Sequence, residues 1–386
     1  MKASYCGKVL DVKQGNLVWI IGTIYKEMKY KPNILDDVAA SHYGAPPVLH
    51  DRYFDKDSDQ ILLEDESGRV QLFGSAVRDE LLVTGIVVAV LGTETTDGGF
   101  DVADVKFPGY APQMMRSKPE NNNKNDRYIA IVSGMLLGSE DEDTRKLELL
   151  QEYLCGELGG SAEQKECSTV GMLLIGGDSL AQQHVEARTM NNSGVPRFDS
   201  EPLHRFDSFV TDVALSIPVS IMPGKADPTN LSMPQQPLNY SLLHQARKLR
   251  ESKSVSCVTN PSWWEVDGTR ILGTSGQTID DIHKYIDVED RLEMMDRTLR
   301  WRHCAPTAPD TLWSYPFADR DPFILTETPH LYFVGNQDQF STRLVESKDP
   351  NGGPISTRLI TVPRFKETGT VVLVNLENLD CKLLKV

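Results

Sequence analysis

The stretch "SIPVSIMPGKADPTNLSMPQQPL", residues 216–238, decides how the rest of the chain is read. Ile217 to Met222 reads as the end of a buried strand, too apolar to face water on one side. Pro223 and Gly224 stop it in a sharp turn, because proline cannot extend a ladder and glycine accepts geometries that side chains resist. Lys225, Ala226 and Asp227 then occupy the loop beyond the carboxyl end of that strand, where layered α/β folds collect their chemistry.

A strand buried on both faces needs cover, and residues 127–386 supply it. "RYIAIVSGMLLGS" and "STVGMLLIGGDS" read as two further buried strands. Between them "DEDTRKLELLQEYLCGELGG" places Leu147, Leu150, Leu154 and Leu158 on one helical face, with Gly159-Gly160 as its stop. "LHRFDSFVTDVALS" reads as a second helix and "TIDDIHKYIDVEDRLEMMDRTLRWRH" as one long helical stretch, with Leu292, Met295 and Leu299 as its core positions. "TRILGTSGQ", "HLYFVGNQDQF", "TRLITVPRF" and "GTVVLVNLENL" add four strands. The expectation is a layered α/β domain. Glu140 to Asp143 complement the N-terminal dipole of the first helix. "TMNNSGVPRFDSEP" and "ESKDPNGGP" read as exposed loops, and Trp263-Trp264 as a loop pair for which simple packing is expected ahead of one ring meeting a partner.

The first 115 residues have a different texture. "ILLED" and "RVQLF" flank Glu66-Ser67-Gly68 as a hairpin, and "TTDGGF" turns between two more strands. About five strands with one long connection predict a small closed barrel, most simply the oligonucleotide/oligosaccharide-binding (OB) fold. Residues 116–126, "RSKPENNNKND", read as a linker.

Composition narrows function. The 386 residues carry a net charge of −15, with 40% apolar and 25% charged residues, the profile of a globular chain rather than a disordered one. Residues 1–120 hold 13 Lys/Arg and 18 Asp/Glu, net −5, which does not favour a phosphate-gripping groove. Trp19, Tyr25, Tyr30 and Phe73 are the barrel's candidates for stacking bases, with Trp19 expected in the core. Cys6, Cys155, Cys167, Cys257, Cys304 and Cys381 show no zinc spacing and read as buried free thiols in a reducing compartment. His283, His303 and His330 lack ligand-spaced partners. No apolar run is long enough to span a bilayer and the first residues lack a secretory pattern, so the expectation is an intracellular chain that meets no membrane.

Four loops beyond strand ends carry the site: Ser133-Gly134-Met135, Gly177-Asp178-Ser179-Leu180-Ala181, Gly224-Lys225-Ala226-Asp227 and Gly335-Asn336-Gln337-Asp338. Their order and contexts resemble the calcineurin-like metallophosphoesterases, which hold two metal ions on such loops. By that resemblance Ser133 and Met135 stand where Asp and His are expected, and Ala181 replaces a second Asp. Lys225 and Ala226 replace Asn and His, and Asn336 and Asp338 replace a His pair, while Asp178 and Asp227 remain. Too few oxygen and imidazole donors survive to retain divalent ions. Neither a metal nor another cofactor, nor hydrolysis, is expected. Lys225 reads first as a solvated surface lysine, with neutralisation of Asp178, Asp227 or Asp338 as the alternative.

A narrower resemblance rests on "MPGKADPTNLSMPQQPL" (222–238), "RILGTSGQTIDDI" (270–282), "RHCAPTAPDTLWSYPF" (302–317), "DPFILTETPHLYFVGNQ" (321–337), "IIGTIYKEMKYKPNIL" (20–35) and "LEDESGRVQL" (63–72). These strings are similar to those of the small (B) subunits of DNA polymerase delta, from about residue 8 to the C-terminus. The family usually carries a further segment ahead of the barrel. The resemblance implies an α/β (α+β) protein: an OB-fold barrel (1–115), a linker (116–126) and a metallophosphoesterase-like β-sandwich with flanking helices (127–386), catalytically inactive. It implies a nuclear scaffold that joins the C-terminal cysteine-rich module of the catalytic subunit to a third, regulatory subunit, is shared with polymerase zeta, and meets DNA only indirectly. Two alternatives are a 3'-5' exonuclease, like archaeal relatives that keep their ligands, and a single-stranded DNA-binding OB module.

Overall fold

The computed structural model describes residues 3–32, 50–116, 127–182 and 199–386. All but the first residue of the expected linker, most of "TMNNSGVPRFDSEP" and residues 33–35 of the barrel string lie outside the described residues. The chain forms two compact units. The first unites Met1–Gln113 with Thr278–Thr328 and Ser347–Ile355; the second comprises Met114–Gln277, Pro329–Glu346 and Ser356–Val386.

In the first unit, β1 (Ser4–Tyr5), β2 (Val18–Glu27), β3 (Gln60–Glu64), β4 (Arg69–Phe73), β5 (Val87–Glu94) and β6 (Phe100–Lys106) pair in the order β1-β2-β3-β4-β6-β5. A β2–β5 pairing closes the ring. Strand β2 shows the alternation that a barrel wall needs: Val18, Ile20, Gly22, Ile24 and Lys26 are buried, while Trp19, Ile21, Thr23, Tyr25 and Glu27 take the outward phase. Trp19 falls in the outward phase, across from Leu91, and is half-buried there rather than in the core. Tyr25 is on the same phase across from Leu62, with the Lys31 amine 4.4 Å from its ring centroid. Tyr30 packs beside His50 and Phe73 is exposed.

Lys26 is the polar exception on the inward phase. Its Nζ donates to the Tyr285 carbonyl at 2.7 Å and lies 3.8 Å from the Asp59 carboxylate. Burial lowers its pKa to about 8, with Asp59 acting the other way.

Sequence order assigns residues 278–328 to the later domain, whereas the packing gathers them with the first hundred residues. The contacts are polar and specific, of a kind periodicity does not register. The Tyr110 hydroxyl donates to Asp296 at 2.6 Å. The Arg302 guanidinium donates to the carbonyls of Gly109 and Tyr110, both at 2.8 Å. Arg297 pairs with Glu80 at 3.0 Å. A Cβ on Gly85 would sit 1.8 Å from the Pro306 carbonyl oxygen, so only glycine fits there. The expected long helix is two, Gln277–Tyr285 and Arg291–Trp301. Asp290 ends the break by accepting from the Leu292 and Glu293 amides.

The second unit is a sandwich. One sheet runs β10 (Val255–Cys257), β9 (Val219–Met222), β8 (Val170–Gly176), β7 (Tyr128–Val132), β16 (Thr370–Asn375), β17 (Cys381–Lys385). The other runs β11 (Ser262–Val266), β12 (Thr269–Thr274), β13 (Leu331–Gln337), β15 (Pro354–Pro363), β14 (Ser341–Lys348). The inner strands of the first sheet are apolar on both faces because each face is covered. Ile129, Ile131, Leu174 and Met222 pack toward Ile271, Phe333 and Ile360 of the second sheet. Ala130, Val132, Leu173 and Ile221 pack toward the helices Thr144–Cys155 and Glu201–Ala214.

The helix Thr144–Cys155 ends earlier than its leucine spacing predicts. Gly156, in the left-handed region (φ 77°), supplies the stop that Gly159-Gly160 was expected to give. Its N-cap is Asp143, accepting from the Arg145 amide, whereas Glu142 is taken by Arg205. Trp263-Trp264 belong to β11, not a loop. Trp264 is buried with Nε1 donating to Ser220 Oγ at 2.9 Å, and Trp263 lies on the opposite face beside the Arg270 guanidinium. "ESKDPNGGP" is an exposed turn from β14 to β15, closed by Asp349 accepting from the Gly353 amide. All six cysteines are free thiols, but only Cys167 and Cys304 are buried as expected; Cys6, Cys155, Cys257 and Cys381 are partly exposed. No described helix is long and apolar enough to cross a membrane.

Candidate functional site

The carboxyl ends of β7, β8, β9, β12 and β13 bring their loops together, and glycines set how closely they approach. Gly177 (φ 92°) has no room for a Cβ, which would lie 2.4 Å from Ser275 Cβ and 3.0 Å from Gly224 Cα. Gly224 is needed for a different reason than its turn suggests. Its φ is not positive; a Cβ there would meet the Asp178 backbone nitrogen and Oδ1, each at 2.3 Å. Across the cleft the Gly134 amide donates to the Gly177 carbonyl at 2.9 Å, and the Leu136 amide to the Asp178 carbonyl at 3.0 Å.

Five of the nine positions singled out in sequence meet here. Ser133 is buried; its Oγ donates toward the Val362 carbonyl and accepts from the Asn336 amide at 2.9 Å. Asp178 and Asn336 open their loops in the left-handed region, at φ 54° and 57°. Asp and Asn are the side-chain-bearing residues that tolerate this region best, so both identities have a backbone reason. Asp178 Oδ1 accepts from the Ala226 amide at 2.7 Å. Asp227 is buried, with Oδ1 accepting from the Leu180 amide at 3.0 Å and Oδ2 from the Gly224 amide at 2.8 Å. Burial, with the Asp178 carboxylate adding to it, pushes the Asp227 carboxyl up to about 7 against the pull of its amide donors.

The other four positions turn elsewhere. Met135 is buried in the core beneath the helices. Ala181 is partly covered, its amide donating to the Leu137 carbonyl. Asp338 is exposed and pairs with Arg364 at 2.9 Å. Lys225 is exposed and forms no ion pair among the described residues, as a solvated surface lysine would, and the alternative that it neutralises the acids is not met. Backbone amides engage Asp178 and Asp227, and Arg364 engages Asp338.

Sequence reading missed the groups that fill the space behind these loops. Asn260 is fully buried; its Nδ2 donates to Gln235 Oε1 at 2.8 Å and to Ser275 Oγ at 2.7 Å, and its Oδ1 accepts from the Ser275 amide at 3.1 Å. Gln235 Nε2 donates to the Gly224 carbonyl at 3.0 Å and Gln277 Nε2 to Gln235 Oε1 at 2.9 Å. The Ser275 hydroxyl donates to Gln277 Oε1, and Asn336 Nδ2 to the Ser275 carbonyl at 2.8 Å. All four groups are neutral. The only sequence signal was their place beside strand ends, in "MPQQPL", "TNPS" and "GTSGQ". Among the described residues, no three His, Cys, Asp or Glu side chains come together as a metal-binding group. Of the histidines, His330 is buried, accepting at Nδ1 from the Arg270 amide and donating at Nε2 to the Met114 carbonyl.

Comparison with known proteins matches both halves of this architecture. The family described as the DNA polymerase delta subunit OB-fold domain matches residues 1–105, and the family of DNA polymerase alpha/epsilon B subunits matches residues 129–342. The DNA polymerase delta small subunit of Oryza sativa subsp. japonica is 41% identical over 97% of this chain and 85% of its own. The DNA polymerase delta small subunit of Saccharomyces cerevisiae is 38% identical over 98% of this chain and 81% of its own. The chain belongs to the DNA polymerase delta small-subunit family. Membership places the barrel and the sandwich in one polymerase subunit. The DNA polymerase II small subunit of Archaeoglobus fulgidus is a more distant relative, 24% identical over 67% of this chain and 52% of its own.

Proposed function

We propose that the chain is a non-catalytic accessory subunit of a nuclear DNA polymerase delta. Its sandwich is a phosphodiesterase fold whose cleft has been converted from a metal site into packed protein. It serves as a scaffold that holds the cysteine-rich C-terminal module of the catalytic subunit and a third, regulatory subunit, and it is shared with polymerase zeta. The observation that carries this reading is where the cleft's polar groups are spent. Neutral amides and hydroxyls of Gln235, Asn260, Ser275 and Gln277 bond to one another, and the acids of the cleft are occupied by backbone amides. Two dications need several free anionic or imidazole donors; the amide cluster is bonded within itself, and Asn336 Oδ1, unpaired among the described residues, is a neutral oxygen that cannot supply them.

The test is co-purification of the full chain from nuclease-treated cell extract, with identification of what it retains. A replicative polymerase catalytic subunit in stoichiometric amount supports the proposal. Manganese-dependent release of nucleotides from a DNA end by the purified chain, abolished by Asp178→Ala, overturns the non-catalytic part. Failure to retain any polymerase subunit overturns the scaffold part.

A further inference from the structure

Against a net charge of −15, one segment of the second unit runs the other way. In "HQARKLRESK", residues 244–253, Arg247, Lys248, Arg250 and Lys253 are all exposed, with Glu251 the only acid among them. None of the four bases forms an ion pair among the described residues, although Arg205, Arg297, Arg300, Arg358 and Arg364 of the same chain do.

The segment is built rather than left over. The Gln245 and Ala246 amides donate to the buried Asp207 carboxylate at 2.8 and 2.9 Å, and Leu243 and Ala246 are buried. Successive turn bonds follow, from the Arg247 amide to Leu243, Lys248 to Gln245, Arg250 to Arg247 and Lys253 to Arg250. They wind the four bases into one compact turn. Arg250 lies over the Tyr240 ring at 4.6 Å, and the exposed His204 and His244 rings are 6.3 Å apart beside the turn. Carbonyls and apolar side chains face in, and cations face out.

We propose that this turn is a phosphate-contact surface for duplex nucleic acid. Four exposed cations held without acidic partners are free to displace counterions from a phosphate backbone. No base-reading element accompanies them, so the contact is independent of sequence. The choice of nucleic acid over an acidic protein segment rests on the reading of the chain as a polymerase subunit. The surface departs from the expectation that DNA is met only indirectly: the whole chain carries a net charge of −15, but this turn holds four exposed bases against one acid.

The test is fluorescence anisotropy of a labelled 20-bp duplex with the full chain, comparing wild type with Arg247→Glu/Lys248→Glu/Arg250→Glu/Lys253→Glu. Four phosphate contacts give a slope of log affinity against log salt of about −3.6, a loss of about 100-fold between 50 and 200 mM salt. The variant is expected to lose that slope and at least about tenfold in affinity at low salt, while its thermal unfolding and its retention of polymerase subunits stay unchanged. Lys13→Glu, an exposed change in the other unit, is expected to have little effect. Equal slopes for wild type and variant, no binding by wild type at 50 mM salt, or preferential binding of a poly-glutamate peptide would each overturn the proposal. Failure of the wild-type chain to retain polymerase subunits, with its DNA binding intact, would instead count against the scaffold reading.

Discussion

Asp227→Asn isolates the most unusual electrostatic feature of the second unit. The wild-type carboxyl is buried beside Asp178 and titrates at about 7 instead of 3.8. Between those values the folded chain holds a proton that the unfolded chain has released. Its contribution to stability is therefore greatest at acid pH and falls as pH rises through the native pKa. A displacement of about three units, at about 1.4 kcal/mol per unit, makes the loss about 4 kcal/mol from pH 4 to pH 8. Asparagine mimics the protonated carboxyl in shape and charge and does not titrate. Each has one acceptor oxygen for the two amides, from Leu180 and Gly224, that face it. The two proteins should thus be nearly equal in stability at pH 4.5. The variant should become progressively more stable than wild type toward pH 8. Urea midpoints followed by tryptophan fluorescence at half-unit pH steps measure the difference, and other titrating groups cancel between the two chains. Parallel curves for wild type and variant across this range would refute the reasoning, because they would mean that the amide donors hold Asp227 ionised throughout.

Three further substitutions test the packing. Gly224→Ala places a methyl carbon 2.3 Å from the Asp178 backbone, and the loops must separate to admit it. A loss of about 2–4 kcal/mol is expected in urea unfolding, and a change below about 0.5 kcal/mol would contradict the close approach. Trp264→Ala empties a buried indole site between the sheets and strands the Ser220 hydroxyl, for an expected cost of about 3–5 kcal/mol measured the same way. Asp65→Asn weakens the turn that binds Ser67, Gly68 and the Val9 amide, where these hydrogen bonds hold the carboxyl down at about 2. That group stabilises the fold above the ordinary Asp pKa and ceases to as pH falls through about 2. The variant should show faster hydrogen exchange at the Val9 amide near neutral pH, and unchanged exchange would contradict this.

The strands of the second unit were legible because burial on both faces writes itself as unbroken apolar runs: β7, β8, β9, β13 and β16 all fall within stretches read from sequence. Four others were not. The edge strands β11, β14 and β17, and three-residue β10, bury too little to leave an apolar run; β14 reads "STRLVESK", with a single partly exposed leucine and valine. Helix ends failed where one residue decides them. Gly156 and Asp290 act through a left-handed backbone and a side-chain cap, and neither disturbs the 3.6-residue spacing around it. Trp19 was misplaced by a single register step, which in a strand is the whole distance from core to surface.

The cleft shows how far residue identity alone can be trusted to mark a site. Asp178 stands beyond the end of β8 and Asn336 in the last residues of β13, where acids and amides invite a chemical reading, yet their left-handed conformations make Asp and Asn the best-fitting side chains on backbone grounds. Gly134, Gly177 and Gly224 are likewise required by close approach between loops. A cleft that lost catalysis would still have to keep all five to fold, and would be free to change only the positions whose side chains do not set the backbone. Met135, Ala181, Lys225, Ala226 and Asp338 are of that kind. Met135 fills core, Lys225 and Asp338 face solvent, and Ala226 meets Asp178 through its amide alone. Restoring donors at Lys225 and Ala226 should therefore not restore metal binding by itself. The variant Lys225→Asn/Ala226→His leaves Gln235, Asn260 and Ser275 bonded to one another and to Gly224, and manganese titration by calorimetry should remain flat. Stoichiometric manganese binding by that variant would show that the amide cluster yields, and that ligand loss alone separates this cleft from a metal site.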